Sequence, residues 1–196
     1  MAVATISFSF ANQVLADTNI AQGKTVTLNG TFGTDPDPWG MEPTAAASTL
    51  TDGISFAEMT QWNLGSVWWN GITHPENDIT LDLGGLFTIN SLMVQADDND
   101  TYRIEFRVGG GSWQNAWDVP GVYTYGLVTR TATLFAPILA DSLRFTATGG
   151  DGFYSVSEIQ AYGVTSPVPE PETYAMLLVG LGLLGFTARR RKDHIA

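Results

Sequence analysis

The chain has 196 residues, a net charge of −11 and no cysteine. That length accommodates one ordinary domain with signals at its ends. The missing cysteines exclude a disulfide framework and any Cys-based metal site, and the acidic surplus argues against a nucleic-acid partner, because neutralising phosphates needs a basic surface.

Met1–Ala16 (MAVATISFSFANQVLA) is apolar to weakly polar and ends in Val14-Leu15-Ala16, the small-residue pattern of a signal-peptidase site. The stretch is read as residues 1–16 of a secretory signal, cleaved after Ala16. Lys and Arg are absent before its apolar run, so an amphipathic first strand is the alternative.

From Asp17 to Gly163 there are five cations (Lys24, Arg103, Arg107, Arg130, Arg144) against seventeen acids, a balance of −12. A divalent cation or a neutral partner such as a sugar fits this body better than an anion. Its periodicity is that of strands. Ile79, Leu81 and Leu83 alternate with Thr80 and Asp82. Tyr102, Ile104, Phe106 and Val108 alternate with Arg103, Glu105 and Arg107, and Leu143, Phe145 and Ala147 with Arg144, Thr146 and Thr148. Thr25–Leu28, Asn90–Ala96, Thr129–Leu134 and Ser157–Tyr162 are further strands, and Gly109-Gly110-Gly111-Ser112 is a hairpin loop. No stretch before Tyr174 keeps a helical period. Seven or more short strands in this space predict an all-β fold, a sandwich over residues 17–163.

Prolines set a linker over residues 164–172, which contains Val168-Pro169-Glu170-Pro171. An apolar run, Tyr174–Ala188, and four cations, Arg189, Arg190, Arg191 and Lys192, complete residues 173–196. Apolar side chains drive such a helix into lipid, where it satisfies its own backbone. The cations resist translocation and hold the C-terminus in the cytoplasm. Fifteen residues span about 22 Å, short of a hydrocarbon core of about 30 Å, and Gly180, Gly182 and Gly185 weaken the helix. The alternative, a buried core helix, lacks a polar face here. The shortness suits a processing signal.

This order of motif, apolar helix and basic cluster resembles the PEP-CTERM sorting signal of Gram-negative bacteria. The resemblance implies a precursor held in the inner membrane, and recognition by a membrane protease-transpeptidase, an exosortase, acting near Val168-Pro169-Glu170-Pro171. It further implies release to the cell surface or extracellular matrix, in species that make exopolysaccharide.

The body carries a second resemblance. Asn19-Ile20-Ala21-Gln22-Gly23-Lys24, Leu50-Thr51-Asp52-Gly53, Trp68-Trp69, Ile79–Gly84, Ile89–Leu92, Ser142–Phe145 and Ser157–Gly163 follow one another as in the discoidin, or coagulation-factor type C, domain. That likeness implies a galactose-binding-like jelly roll with its terminal strands side by side, a non-catalytic adhesive or carbohydrate-binding module that reads ligands with loops at one end. Many carbohydrate-binding relatives carry a structural calcium, which the resemblance places at Asp52 and Glu158. Calcium takes about six to eight hard oxygens, many of them carbonyls, and Leu50, Ser55 and Thr60 are near in sequence. The alternative is that Asp52 merely makes an Asx turn before Gly53 and Glu158 is solvated.

Sugar sites combine aromatic faces with a few fixed polar groups. Trp39, in the loop Asp35–Met41, is the first candidate for an exposed platform, followed by Trp69 and Tyr125. Asp97 and Asn99, in the polar loop Asp97–Asp100, with Arg103 and Arg130, are candidates for hydrogen bonds. Trp62, Trp68 and Trp113 read as core or loop-packing residues. For catalysis there is little: His194 lies in the tail, His74 precedes Pro75, and no Gly-x-Ser-x-Gly, His-Glu-x-x-His or P-loop is present. The expectation is an exported, non-catalytic module for extracellular polysaccharide. The alternatives are a structural surface protein with protein contacts only, and a glycan-active enzyme built on its acidic pairs.

Overall fold

The structure, a computed structural model, describes residues 17–34, 43–166 and 178–181. Among the described residues, eight strands follow in chain order: β1 (Thr18–Asn19), β2 (Thr25–Asn29), β3 (Val67–Asn70), β4 (Asp78–Asp97), β5 (Thr101–Arg107), β6 (Gln114–Val119), β7 (Leu127–Gly149) and β8 (Phe153–Thr165), with a 3₁₀ turn at Ala47–Thr51 between β2 and β3.

All pairings are antiparallel, in the order β1-β8-β4-β7-β5-β6, with β2 on β4 and β3 on β8. Two strands, β4 and β7, are far longer than the short strands expected from the alternation. Each fuses two of those stretches and serves both layers of a sandwich. The first half of β4, Asp78–Asp82, pairs with β2 and with Ser142–Thr146 of β7, which continues to β5 and β6. The second half, from Phe87 to Asp97, pairs with β8 and with Leu127–Ala140. Register shifts between Asp82 and Phe87 mark the corner, where Gly84 takes a positive φ of 71°. β3 and β6 show no clear alternation in sequence and appear only here.

One core lies between the layers. Ile79, Leu81 and Leu83 of β4 meet Tyr102 and Ile104 of β5 and Leu143 and Phe145 of β7, as their period of two requires. Leu92, Val94 and Ala96 face the same core from the second layer, with Val156, Ile159 and Ala161 of β8 and Val67 and Trp69 of β3. The terminal strands are neighbours, with Thr18 opposite Gly163.

Strict alternation along β8 could not place both Val156 and Ile159 inward. A bulge resolves this. Gln95 opposes Glu158 while Ala96 opposes Val156, so Ser157 is the extra residue. Glu158 is thereby turned to the outer face of the second layer, beside Gln95. That face is not left to water. The segment between the 3₁₀ turn and β3 lies across it, held by Gln95: Phe56 N donates to Gln95 Oε1 at 2.7 Å, and Gln95 Nε2 donates back to Phe56 O at 2.9 Å.

The chain divides into two compact units, Met1–Thr165 and Ser166–Ala196. In the second, residues 178–181 are helical. The rest of the expected C-terminal helix, the Val168–Pro171 motif and the Arg189–Lys192 cluster lie outside the described residues, as does the expected signal stretch. No helix among the described residues is long and apolar enough to cross a membrane.

Candidate functional site

β4 ends, β7 begins and β8 begins at one end of the sandwich. There the loops enclose a cavity of about 290 Å³, lined by Gln61, Trp62, Asp97, Asp98, Asn99, Tyr125, Gly126 and Asp151. Three of the expected residues, Asp97, Asn99 and Tyr125, come together in it. Gly126 lets the wall close: its φ is +59°, and a Cβ there would collide with the Thr60 carbonyl, which accepts from Leu127 N at 2.8 Å.

The acidic loop is built from behind by Arg130. Its Nη2 donates to Asp97 O at 2.8 Å, and its Nη1 donates to Asp100 O at 3.2 Å and Pro120 O at 3.1 Å. Expected as a ligand contact, Arg130 is buried, with both Nη atoms on carbonyls and Nε without a hydrogen-bond partner. Asp100, fully buried, accepts from the Tyr102 hydroxyl at 3.1 Å and from Asp151 N at 3.3 Å, which ties the β4–β5 loop to the β7–β8 loop. Burial, then the neighbouring acids, pushes the Asp100 carboxyl up to about 8, and burial pushes Asp97 up to about 7. Asp97 Oδ1 accepts from Asp98 N at 2.9 Å, and Asn99 Nδ2 donates to Asp151 Oδ2 at 3.0 Å.

Other expected residues lie elsewhere. Trp69, expected as an exposed platform, is 2% exposed and packs on Phe32 and Tyr154 with ring centroids at 5.4 and 5.5 Å. It sits on the inward face of β3. Arg103 is exposed on β5 and paired with Asp118 at 2.7 Å, away from the cavity lining. Trp39 lies outside the described residues. Conversely Trp62, expected as core or loop packing, forms part of the cavity wall. It stands edge-on to Trp68 at 5.9 Å and near Phe153 at 6.1 Å, leaving it half-buried. Its only signal in sequence was position: it follows Asp52-Gly53 in the segment that folds over the second layer.

A second constellation joins Asp52 and Glu158. Glu158 is fully buried, contrary to the solvated alternative. Its Oε1 accepts from Gly53 N at 3.1 Å and Gln160 Nε2 at 3.0 Å, while its Oε2 is buried with no partner. Burial raises its carboxyl to about 7, and the charge of Asp52 adds to this. Asp52 Oδ1 does make the Asx turn, accepting from Ile54 N at 2.8 Å. A buried, orphaned carboxylate oxygen next to a second acid and a loop of carbonyls is a donor set that fits a hard cation. Among the described residues no group of three or more His, Cys, Asp or Glu side chains is assembled for a metal, so carbonyls would complete the shell. Thr60 is engaged with β7 instead.

Comparison with known proteins bears on both units. Residues 167–192 match the family described as the PEP-CTERM protein-sorting motif. No curated protein matches the sequence. Among solved structures, the body is similar to the family 32 carbohydrate-binding module of C. perfringens NanJ, in complex with galactose, at 21% identity and a TM-score of 0.50, covering 74% of this chain and 98% of that one. It is similar to the family 32 module of Streptococcus pneumoniae EndoD at 16% identity and 0.50, covering 74% and 99%. The fucolectin of striped bass serum, Morone saxatilis, aligns at 11% identity and 0.58, covering 80% of this chain and 52% of that one. The fold is therefore an antiparallel β-sandwich like that of the family 32 modules and the fucolectin.

Proposed function

We propose that the protein is a surface- or matrix-targeted, non-catalytic module that binds extracellular polysaccharide in the loop-end cavity. One observation carries this reading. A sorting motif at residues 167–192 stands in the same chain as a carbohydrate-module fold whose loop-end cavity offers aromatic and polar groups together. Trp62 and Tyr125 supply faces for sugar C–H surfaces, and Asp97, Asp98 and Asp151 supply acceptors for hydroxyls, with Asn99 holding Asp151 in place. In this reading the precursor crosses the inner membrane, is held there by the apolar tail with its C-terminus in the cytoplasm, and is processed by an exosortase near Val168–Pro171. Calcium, when bound, would be a structural tie held by Glu158 Oε2, Asp52 and carbonyls of the adjoining loop, with no part in sugar chemistry.

Binding of the purified protein to polysaccharide from the producing cells tests the module. Retention that Tyr125→Ala weakens supports the reading, and no retention with or without calcium overturns it. Intact-mass measurement on surface-extracted protein tests the sorting. A mass ending before Tyr174 is expected, and a mass retaining Tyr174–Ala196 would make the tail a permanent anchor.

A further inference from the structure

A second cavity, of about 360 Å³, lies on the outer face of the layer formed by β2, the first half of β4, β7 and β5, and shares no lining residue with the loop-end one. Its floor is set by register. Ile79, Leu81, Ile104 and Leu143 point into the core, so the residues beside them point out. Thr27 of β2, Thr80 of β4, Arg144 of β7 and Glu105 of β5 stand opposite one another in turn across the sheet. Asn29 and Asp78 face each other two residues to one side, and Arg107, opposite Ser142, lies two residues to the other. Trp113, just before β6, flanks the arginine end, with its ring centroid 4.2 Å from Cζ of Arg107 and 4.8 Å from Cζ of Arg144.

The two guanidiniums are held differently. Arg144 Nε donates to Glu105 Oε2 at 2.8 Å and its Nη2 lies 2.6 Å from the same oxygen, so this cation is fixed and neutralised. Arg107 has neither an ion pair nor a hydrogen bond among the described residues. Its Nε is enclosed, so its two Nη atoms are what the half-buried side chain offers to the cavity. Of the three charges at this end, two cancel and one positive charge remains. At the other end Asp78 Oδ1 accepts from Asn29 Nδ2 at 2.6 Å and from Thr80 Oγ1 at 3.2 Å. The partners of Asp78 and Arg107 on β7, Thr146 and Ser142, are four residues apart, or about 13 Å. Charges that far apart are largely screened at physiological salt, where the Debye length is about 8 Å, so neither Asp78 nor the acidic surplus of the body forbids an anion beside Arg107. An unused guanidinium fork matches a planar carboxylate, which accepts two parallel N–H bonds. Asp78, Thr80 and Thr27 offer acceptors for hydroxyls at the far end. We infer that this face is a second glycan site, which takes a uronate unit of a polysaccharide with its carboxylate on Arg107 and its hydroxyls toward Asp78 and the threonines. The site does not depend on the loop-end cavity.

Titration calorimetry on the full chain in mild detergent tests this, with β-1,4-linked mannuronate oligosaccharides, their carboxyl-reduced counterparts and a sulfated oligosaccharide of equal length. The uronate should bind at least about tenfold more tightly than the reduced form, the worth of one hydrogen-bonded charge. Arg107→Gln should remove that preference. Arg107→Lys keeps the cation but not the fork, and should still weaken uronate binding at least about threefold; it serves alone if Arg107→Gln does not fold. Arg103→Gln takes an equal charge from the same strand and should leave uronate binding unchanged. The inference is overturned by equal affinity for the uronate and its reduced form, by a preference for the sulfated chain, by no uronate binding, or by uronate binding that both Arg107 variants spare. Each of those outcomes leaves the loop-end reading to its own retention assay.

Discussion

Gln95 and Phe56 exchange two hydrogen bonds across the outer face of the second layer, side-chain amide to backbone amide. Gln95 thus acts as an extra rung, holding a loop to a sheet as a neighbouring strand would. Its Oε1 also accepts from Ser157 Oγ at 2.8 Å, the bulge residue, and its Nε2 donates to Thr129 Oγ1 at 3.2 Å. Gln95→Leu should leave several polar groups unsatisfied, at about 1–3 kcal/mol each. We expect at least about 2 kcal/mol of lost stability by urea denaturation and faster hydrogen exchange at the Phe56 amide. Unchanged exchange there would show that the loop is held by other contacts.

Trp69 and Tyr125 separate core from site. Trp69→Ala should cost about 3–5 kcal/mol, because it empties a packed position on the inner face of β3. Tyr125, 57% exposed, should change stability by less than about 0.5 kcal/mol when replaced by Ala yet weaken glycan retention. Thermal denaturation of both variants, beside the retention assay, checks the contrast. The reverse pattern would place the binding surface elsewhere.

Stability should fall as pH rises from acid to neutral. In the native chain Asp97, Asp100 and Glu158 keep their protons up to about 7, 8 and 7, against ordinary values of 3.8, 3.8 and 4.5. Between those limits the folded state binds more protons than the unfolded state, so the slope of unfolding free energy with pH is negative. The contribution is fully present below the ordinary values and is lost by about pH 8. Melting temperatures measured in chelator across this range should decline, and Asp100→Asn should flatten the decline. A melting temperature that climbs across the same window would contradict these burial effects.

Calcium should counter part of that loss. A cation on Glu158 Oε2 would hold the carboxylate ionised, and binding to the folded state alone stabilises it by about 2.7 kcal/mol at a hundredfold excess over Kd. Near neutral pH, chelator should lower the melting temperature of the wild-type chain and leave Glu158→Gln unaffected. Identical curves with and without chelator would remove calcium from this protein.

The sequence by itself determined which residues alternate, and hence that the body is β and that Ile79, Leu81, Tyr102, Ile104, Leu143 and Phe145 share a core. It also determined the tail, whose pattern is linear: a motif, an apolar run and a cationic cluster follow in order and match a sorting motif over residues 167–192. Only the tertiary structure decided which tryptophan is core and which is wall. Trp68 and Trp69 are adjacent and therefore face opposite ways, but whether the outer face is covered, and by Trp62, depends on a loop latched by a distant Gln95. The bulge at Ser157 turns Glu158 to that same outer face, and the loop lying across it makes this strand acid a buried one. The cavity joins Asp97 to Tyr125 and Asp151, and Arg130 is drawn behind it by three carbonyls. Such convergence comes from long-range pairing between strands, and a period of two carries no record of which strand ends meet.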